Sequence, residues 1–315
     1  MSTLGIDHGT RAVRFYVEPE GLRFEMGREE ILEKSALELI DGRFPLDDIE
    51  LVCLTYSMGD GIEKITDIRR VKNRGVLRKT TGAFIGGGTK VYDEIRGSKL
   101  KAVVIPGLHR GITALDPRFR ALYSHCASAE KVSLAYHAHL ETGARNLIVS
   151  DVGSNTVTIG IKDSKFFGAV DACLGAIGMY HGPMDLQAIR DVDDGKTTAN
   201  KAFYSSGVTK IYSAASPRDV LEPKNEEAKL ALESLILSVE MEIASFSAEI
   251  SPEAIVITGE FGVHDNVYSV LEDSLSSKAM VHRIDGYSAA MGSAEIARDV
   301  LGGKKDFLGL DVDYK

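Results

Sequence analysis

The sequence predicts an α/β protein made of two duplicated domains, and three observations predict it. The chain has 315 residues, enough for two domains of about 150 residues, each with its own core. One short polar hairpin occurs near the start and again near the middle, with the same internal spacing. Around each copy, short apolar runs of strand type give way to segments of helical periodicity. The expected boundaries are 1–141 for the first domain and 142–315 for the second, whose last helix is expected to return to the hinge, with a cleft between them.

The first hairpin is LGIDHGTRAVRFYV, from Leu4 to Val17. An apolar run reaches Asp7, a polar turn carries Gly9 and Thr10, and Val13, Phe15 and Val17 then share one face, as in a half-buried returning strand. In LIVSDVGSNTVTIGI, from Leu147 to Ile161, Asp151 stands where Asp7 stood, Gly153 where Gly9 stood and Ser154 where Thr10 stood. Val157, Ile159 and Ile161 repeat the alternation. Asp and Gly favour turns for purely local reasons, so one copy alone carries little. Two copies at equal spacing, each opening one half of the chain, indicate a repeated structural unit.

Such a turn suits a phosphate and a hard cation. A Gly two residues after the Asp lets a ligand approach the backbone with no Cβ in the way. Backbone N–H groups and the hydroxyl of Thr10 or Ser154 donate to phosphate oxygens. The Asp carboxylate serves a magnesium ion, through the ion's water shell. Two such turns facing across a cleft would hold a polyphosphate from both sides.

Asp7-His8-Gly9-Thr10 and Asp151-Val152-Gly153-Ser154 resemble the two phosphate motifs of the actin, heat-shock chaperone and sugar kinase superfamily. Downstream, IVITGEFG, from Ile255 to Gly262, resembles that superfamily's adenosine motif, a buried strand ending at glycines that pass close to the nucleoside. Where the family usually carries a Gly pair, this chain has Gly259-Glu260, with Gly262 beyond. The resemblance implies two ribonuclease-H-like domains of the actin-like ATPase type around a cleft for ATP and Mg2+. It implies Asp7 and Asp151 as the catalytic carboxylates that organise the metal. Gly9, Thr10, Gly153, Ser154 and Asn155 become phosphate contacts, and Gly259, Glu260 and Gly262 nucleoside contacts.

Two segments rich in small residues complete the pattern. Ser128 to Glu141 predicts a helix joining the halves, with Ala127, Ala129 and Ser133; Tyr287 to Val300 predicts a second, with Ala289, Ala290, Gly292, Ser293 and Ala294 and a stop at Gly302. Small residues permit close helix crossing, as in the superfamily's paired helices at the interdomain hinge. Ala102 to Pro106 predicts a buried strand. Lys229 to Ile250 predicts a long amphipathic helix with Leu232, Leu235, Ile236, Val239, Ile243 and Phe246 on its core face.

Candidate acceptor contacts lie between these elements. Gly86-Gly87-Gly88-Thr89-Lys90 fails the P-loop pattern, which needs Gly-Lys-[Ser/Thr] after a spaced Gly; it is expected as a loop over the cleft, with Lys90 reaching a substrate anion. His109-Arg110 follows the Pro106-Gly107 turn, where an Arg fork binds carboxylates or phosphates. Gly168 to Asp191 resembles the glycine-and-aspartate segment of acetate and butyrate kinases and supplies Asp185. The Thr-Arg-Ser-Gly-Asp run of those kinases is replaced by Met179-Tyr180-His181-Gly182-Pro183-Met184-Asp185. His125 precedes the joining helix, and His137 and His139 stand two apart on it, a spacing that cannot serve one metal. The acidic run Asp191 to Asp194 is expected as a solvated loop.

Composition excludes other classes. Hydrophobic residues are 44% and charged residues 26%, ordinary for a globular chain. A net charge of -9 opposes nucleic-acid binding, which needs a basic field. Cys53, Cys126 and Cys173 are far apart, without metal spacing, and are expected as reduced thiols. No run approaches the ~20 apolar residues of a membrane helix. The first residues pass straight into a strand pattern, so no signal peptide is expected and the location is cytoplasmic.

As a whole the chain resembles an archaeal family known as methanogenesis marker protein 12, through AVVIPGLHRG and SHCASAEK as well as the hairpins. That resemblance implies a methanogen cytoplasm and a link to methanogenesis. The leading expectation is an ATP- and Mg-dependent phosphotransferase acting on a small anionic metabolite. The alternatives are an ATPase switch that activates or assembles a partner protein, an actin-like filament protein or chaperone, and a nucleotide-free scaffold. Neither a nucleic acid nor a membrane is an expected partner, and the sequence fixes no oligomeric state.

Overall fold

The computed structural model describes residues 2–9, 12–56, 60–76, 87–213 and 216–315. They divide into two compact units, Met1–Glu141 with Tyr287–Lys315, and Thr142–Gly286. The chain thus leaves the first unit once and returns to it. The segment from Tyr287 onward, expected to return from the second domain to the hinge, groups with the first unit.

The first unit opens with a meander of β1 (Ser2–His8), β2 (Ala12–Glu18) and β3 (Leu22–Gly27). Val13, Phe15 and Val17 are fully buried, while their neighbours along β2 are half-exposed, so the alternation orients this strand. Two short helices, α1 (Arg28–Glu33) and α2 (Ala36–Asp41), lead to β4 (Ile49–Leu54) and β5 (Ile65–Asp67). Next come α3 (Gly87–Gly97), β6 (Ala102–Val104), β7 (Leu108–His109), α4 (Pro117–Leu122), β8 (His125–Ala127) and α5 (Ala129–Thr142).

The second unit repeats the opening with β9 (Leu147–Val152), β10 (Thr156–Lys162) and β11 (Lys165–Val170). After it run α6 (Leu186–Asp193), α7 (Ala199–Tyr204), α8 (Pro217–Leu221) and α9 (Glu226–Ser247). Then β12 (Ala254–Thr258), α10 (Asp265–Leu275) and β13 (Met280–Arg283) close the unit. Back in the first unit stand α11 (Ser288–Leu301), β14 (Asp306–Phe307) and β15 (Leu310–Asp313).

The duplication extends well beyond the hairpins. The second sheet runs β11-β10-β9-β12-β13, and the first contains β3-β2-β1-β4-β6, which is the same order, extended by β5, β15 and β14. In each, the first strand pairs antiparallel with the second and parallel with the strand that returns beside it. Both sheets are therefore mixed, with the first strand central, and the polar turn projects from that strand's carboxyl end.

Helix α11 covers β1 at backbone distance. A Cβ on Gly5 would lie 1.9 Å from the Ala290 carbonyl oxygen and 2.5 Å from the Ala294 nitrogen. The Thr3 hydroxyl donates to the Ala294 carbonyl at 3.0 Å. On its other side α11 crosses α5, where a Cβ on Gly292 would fall 1.9 Å from the Ser133 carbonyl oxygen. The two small-residue helices do cross closely, and the crossing lies within the first unit. In the second unit Leu232, Leu235, Ile236, Val239, Ile243 and Phe246 of α9 are all buried. Asn225 caps this helix, accepting from the Ala228 N–H at 2.8 Å. Among the described residues, no helix is long and apolar enough to cross a membrane, and Cys53, Cys126 and Cys173 form no disulfide.

Gly292→Ala should cost about 1–3 kcal/mol of stability, because the added methyl meets backbone that has no room to yield. Gly27→Ala, whose Cβ meets nothing within 4 Å, is the control. Equal denaturation midpoints for the two variants would show that the crossing opens without cost.

Candidate functional site

The carboxyl end of β1 carries the first candidate turn. Asp7 is buried, its Oδ1 accepting from the Thr55 hydroxyl at 3.4 Å and its Oδ2 lying 3.7 Å from Nη1 of Arg14. Arg14 reaches it because the two residues are register partners across β1 and β2. The His8 N–H donates to the same Thr55 hydroxyl at 3.0 Å. Arg28 grips the turn from the start of α1, donating to the Gly9 carbonyl through Nε at 3.0 Å and Nη2 at 2.6 Å. Thr10 lies outside the described residues.

Beside this turn the His8 ring packs on Tyr56 with centroids 4.9 Å apart, and among the described residues neither ring nitrogen has a hydrogen-bond partner. Burial, with the Arg28 charge adding to it, lowers its pKa to about 3. The ring is therefore neutral at physiological pH.

The second turn is more heavily supported. Asp151 and Val152 end β9, and the Gly153 N–H donates to the Asn155 carbonyl at 2.9 Å. Parallel pairing sets Thr258 of β12 beside Asp151, so the segment after β12 emerges directly at the turn. Phe261 and Gly262 both donate their N–H groups to the Val152 carbonyl, at 3.0 and 2.9 Å. Gly259 has φ +87, and a Cβ there would fall 2.3 Å from Asp151 Oδ1. Only a residue without a side chain combines that backbone with that contact. The second phosphate-type turn and the expected nucleoside turn thus meet in one unit, with Glu260 exposed at the corner.

A third segment closes on the same turn. Met179 donates its N–H to the Gly153 carbonyl, and Tyr180 and His181 donate theirs to the Ser154 carbonyl, each at 3.0 Å. The His181 ring is held by Phe203 and Tyr204, with centroids at 5.0 and 4.7 Å. Burial lowers its pKa. These residues are the ones that replace the acetate kinase run, and sequence comparison gave them no role.

The expected acceptor contacts are dispersed. Lys90 stands in α3, so the expected loop is helical from Gly87 onward. Its Nζ donates to the carbonyls of Leu32 at 3.2 Å and Lys34 at 2.8 Å. His109 is buried; its Nδ1 accepts from the Gly111 N–H at 3.1 Å, which leaves Nε2 to donate to the Ile62 carbonyl at 2.9 Å. Both of its ring nitrogens are thereby bound to backbone. Arg110 is exposed. Asp185 caps α6, accepting from the Ala188 N–H at 3.0 Å, and pairs with Lys210 at 3.3 Å. His125 Nδ1 lies 2.8 Å from Asp60 Oδ1, and His137 Nδ1 lies 3.0 Å from Glu295 Oε1. Asp191 to Asp193, expected as loop, form the end of α6.

A polyphosphate and its metal fit what is present. The Gly153 backbone is open, since a Cβ there would meet no atom closer than 3.7 Å. Within the second unit Asp151 offers a hard oxygen donor of the kind magnesium takes, and Asp7 offers one within the first. The Ser154 and Asn155 side chains are half-exposed beside the open backbone.

No protein-family model matches the chain. Among solved structures, the fold resembles a propionate kinase from Francisella tularensis, with TM-score 0.67, 13% identity and coverage of 95% of this chain and 99% of that one. It also resembles an acetate kinase from Porphyromonas gingivalis (TM-score 0.61, 12% identity, 95% and 99% covered). A third likeness is to a ROK family glucokinase from Streptomyces griseus in complex with glucose and AMPPNP (TM-score 0.55, 14% identity, 95% and 100% covered). At these identities the likeness is one of fold: two mixed sheets matching the actin-like ATPase domain pairs of those kinases. Relatives by sequence include UPF0285 proteins of Methanocaldococcus jannaschii, 48% identical over 330 residues, and of Methanococcus maripaludis, 46% identical over 327, each covering both chains in full. A UPF0285 protein of Methanothermobacter thermautotrophicus is 43% identical, with 98% of each chain covered. With such identity along its whole length, the chain belongs to the UPF0285 family.

Proposed function

We propose that the chain binds ATP with Mg2+ and transfers the terminal phosphoryl group to a small anionic metabolite of methanogens. One observation carries the proposal. Each unit ends its central strand in the same Asp-x-Gly turn, and in the second unit the glycine turn at Gly259–Gly262 closes against it. The kinase folds of the structural neighbours support it, as does the AMPPNP bound by the ROK glucokinase.

In this proposal Gly153, Ser154 and Asn155 receive phosphate oxygens, and Gly259, Glu260 and Gly262 border the nucleoside. Gly9 and Thr10 serve the first turn. Asp7 and Asp151 hold the water shell of the metal and orient the attacking group. Bound magnesium neutralises phosphate charge; the protein's share is positioning. Arg14, beside Asp7, keeps that carboxylate aligned.

An ATPase switch acting on a protein partner is the second proposal, and a specific observation favours it. The polar groups of Lys90, His109 and Asp185 are bonded to the protein itself. Of the four expected acceptor contacts, Arg110 is the one whose guanidinium is held by no described partner.

ATP–Mg at a hundredfold above its Kd should stabilise the chain by about 2.7 kcal/mol, read as a rise in unfolding temperature that EDTA removes. No rise, together with no calorimetric heat, would reject nucleotide binding. Asp7→Asn and Asp151→Asn should each lower turnover about a hundredfold or more while leaving ATP affinity within a few-fold. Normal turnover in both variants would remove these carboxylates from the chemistry. Methanogen extract separates the two proposals: stimulation of ATP turnover by the small-molecule fraction supports the transferase, and stimulation confined to the protein fraction supports the switch.

A further inference from the structure

Glu242 is a carboxylate on the core face of α9, between Val239 and Phe246. It is buried, and it reaches the segment that closes on the second turn. Its Oε1 accepts from the Ala176 N–H at 2.9 Å. One turn earlier on the same helix, the Ser238 hydroxyl takes the Ile177 N–H at 3.2 Å. Two successive amides of the segment are thus fastened to α9. Gly175 makes room for this contact, since a Cβ there would fall 1.8 Å from Glu242 Oε1.

From that anchor a line of bonds runs to the turn. The Ile177 carbonyl accepts from the Thr156 hydroxyl at 2.8 Å. A Cβ on Gly178 would sit 2.4 Å from the Asn155 Cα. Met179, Tyr180 and His181 then donate to the carbonyls of Gly153 and Ser154. The shape of the Gly153–Asn155 backbone therefore depends on where Ala176 and Ile177 are held.

We propose that Glu242 is the positioning residue of the second turn, bracing residues 176–181 through the Ala176 amide, and that this buried arrangement loosens when the carboxyl ionises, because the cost of burying the charge outweighs the strengthened Ala176 bond. The proposal rests on the phosphate role assigned above to that turn. The second carboxyl oxygen, Oε2, is buried and has no partner within hydrogen-bond distance among the described residues. Ionisation would place charge in a buried site whose polar support is the Ala176 N–H and the Thr158 hydroxyl. Asp171, at the head of the same segment, would then repel it, and the Cys173 thiol stands next to Asp171. Thr158, whose hydroxyl is 3.0 Å from that of Ser150, and the Ala176 N–H are the polar groups that favour the charged form. Burial outweighs them and, with Asp171, pushes Glu242 up to about 7.

The sign follows. The folded chain binds this proton more tightly than the unfolded chain, so the associated stability is complete in acid and is lost as pH rises through about 7. Ionisation also places negative charge behind a turn that receives an anion. Both effects weaken phosphate binding at alkaline pH.

The test compares the full-length chain with Glu242→Gln, whose amide retains the acceptor for Ala176 and never ionises. Hydrogen exchange of residues 176–181, corrected for intrinsic rates, should lose at least about threefold protection between pH 6 and 8 in the parent and stay constant in the variant. ATP–Mg affinity should fall by a similar factor in the parent only, and the comparison cancels the titration of the nucleotide itself. Should Glu242→Gln not fold, Asp171→Asn serves: loss of the like charge should move the transition to lower pH. Equal pH dependence in parent and Glu242→Gln, or an unmoved transition in Asp171→Asn, overturns the proposal. If ATP–Mg binds neither protein at any pH, the phosphotransferase is what fails, and exchange alone decides the role of Glu242.

Discussion

A helix backbone resting directly on a strand backbone is the constraint on which the first unit depends. No side chain separates α11 from β1 at Gly5, and none separates it from α5 at Gly292. Contacts of this kind gain dispersion energy over many atoms at once, and they leave little freedom to slide. Polar ties fix the register: the Tyr136 hydroxyl donates to Asp299, and His137 pairs with Glu295. With α11 seated, β1 is held along its length and Asp7 at its end has one position.

The two turns share a sequence pattern and a place after the first strand of their sheets, and they differ in their support. The first is held by Thr55 and by Arg28, whose guanidinium grips a carbonyl. The second is gripped through its own carbonyls, by Phe261 and Gly262 from one side and by residues 179–181 from the other. Bonds to the carbonyls hold that turn from behind, while the Ser154 and Asn155 side chains stay half-exposed. Rigid support behind an open edge is what electrostatic stabilisation of a transferring phosphoryl group demands.

Much of this was legible in the sequence because it rests on local chemistry. Period-two burial and a polar turn define both hairpins, and the helices expected at Ser128–Glu141 and Tyr287–Val300 are found at Ala129–Thr142 and Ser288–Leu301. Periodicity reports that a helix buries a face, but not against which partner; the return of the last helix to the hinge was expected from the resemblance and its small residues, whereas its seat on β1 at Gly5 was not legible. Gly87 and Gly88 suggested a loop, yet they begin a helix, with Gly88 close under the rings of His8 and Tyr56. Asp185 and His109 had the right chemistry for an acceptor; local bonds to backbone, which spacing does not reveal, engage them. Glu242 left a visible signal, a carboxylate at helical spacing within an apolar stripe, though its partner at Ala176 lies 66 residues away in sequence.

The return of the chain to its first unit also orders events in time. During synthesis β1 is made first and its covering helix after the whole of the second unit. Until α11 leaves the ribosome, the face of β1 that it covers has no native cover, whereas Thr142–Gly286 is complete and can fold as a unit. The nascent chain therefore carries a finished domain beside an unfinished one. Any pause or truncation before Ser288 would leave exposed the strand that ends in Asp7.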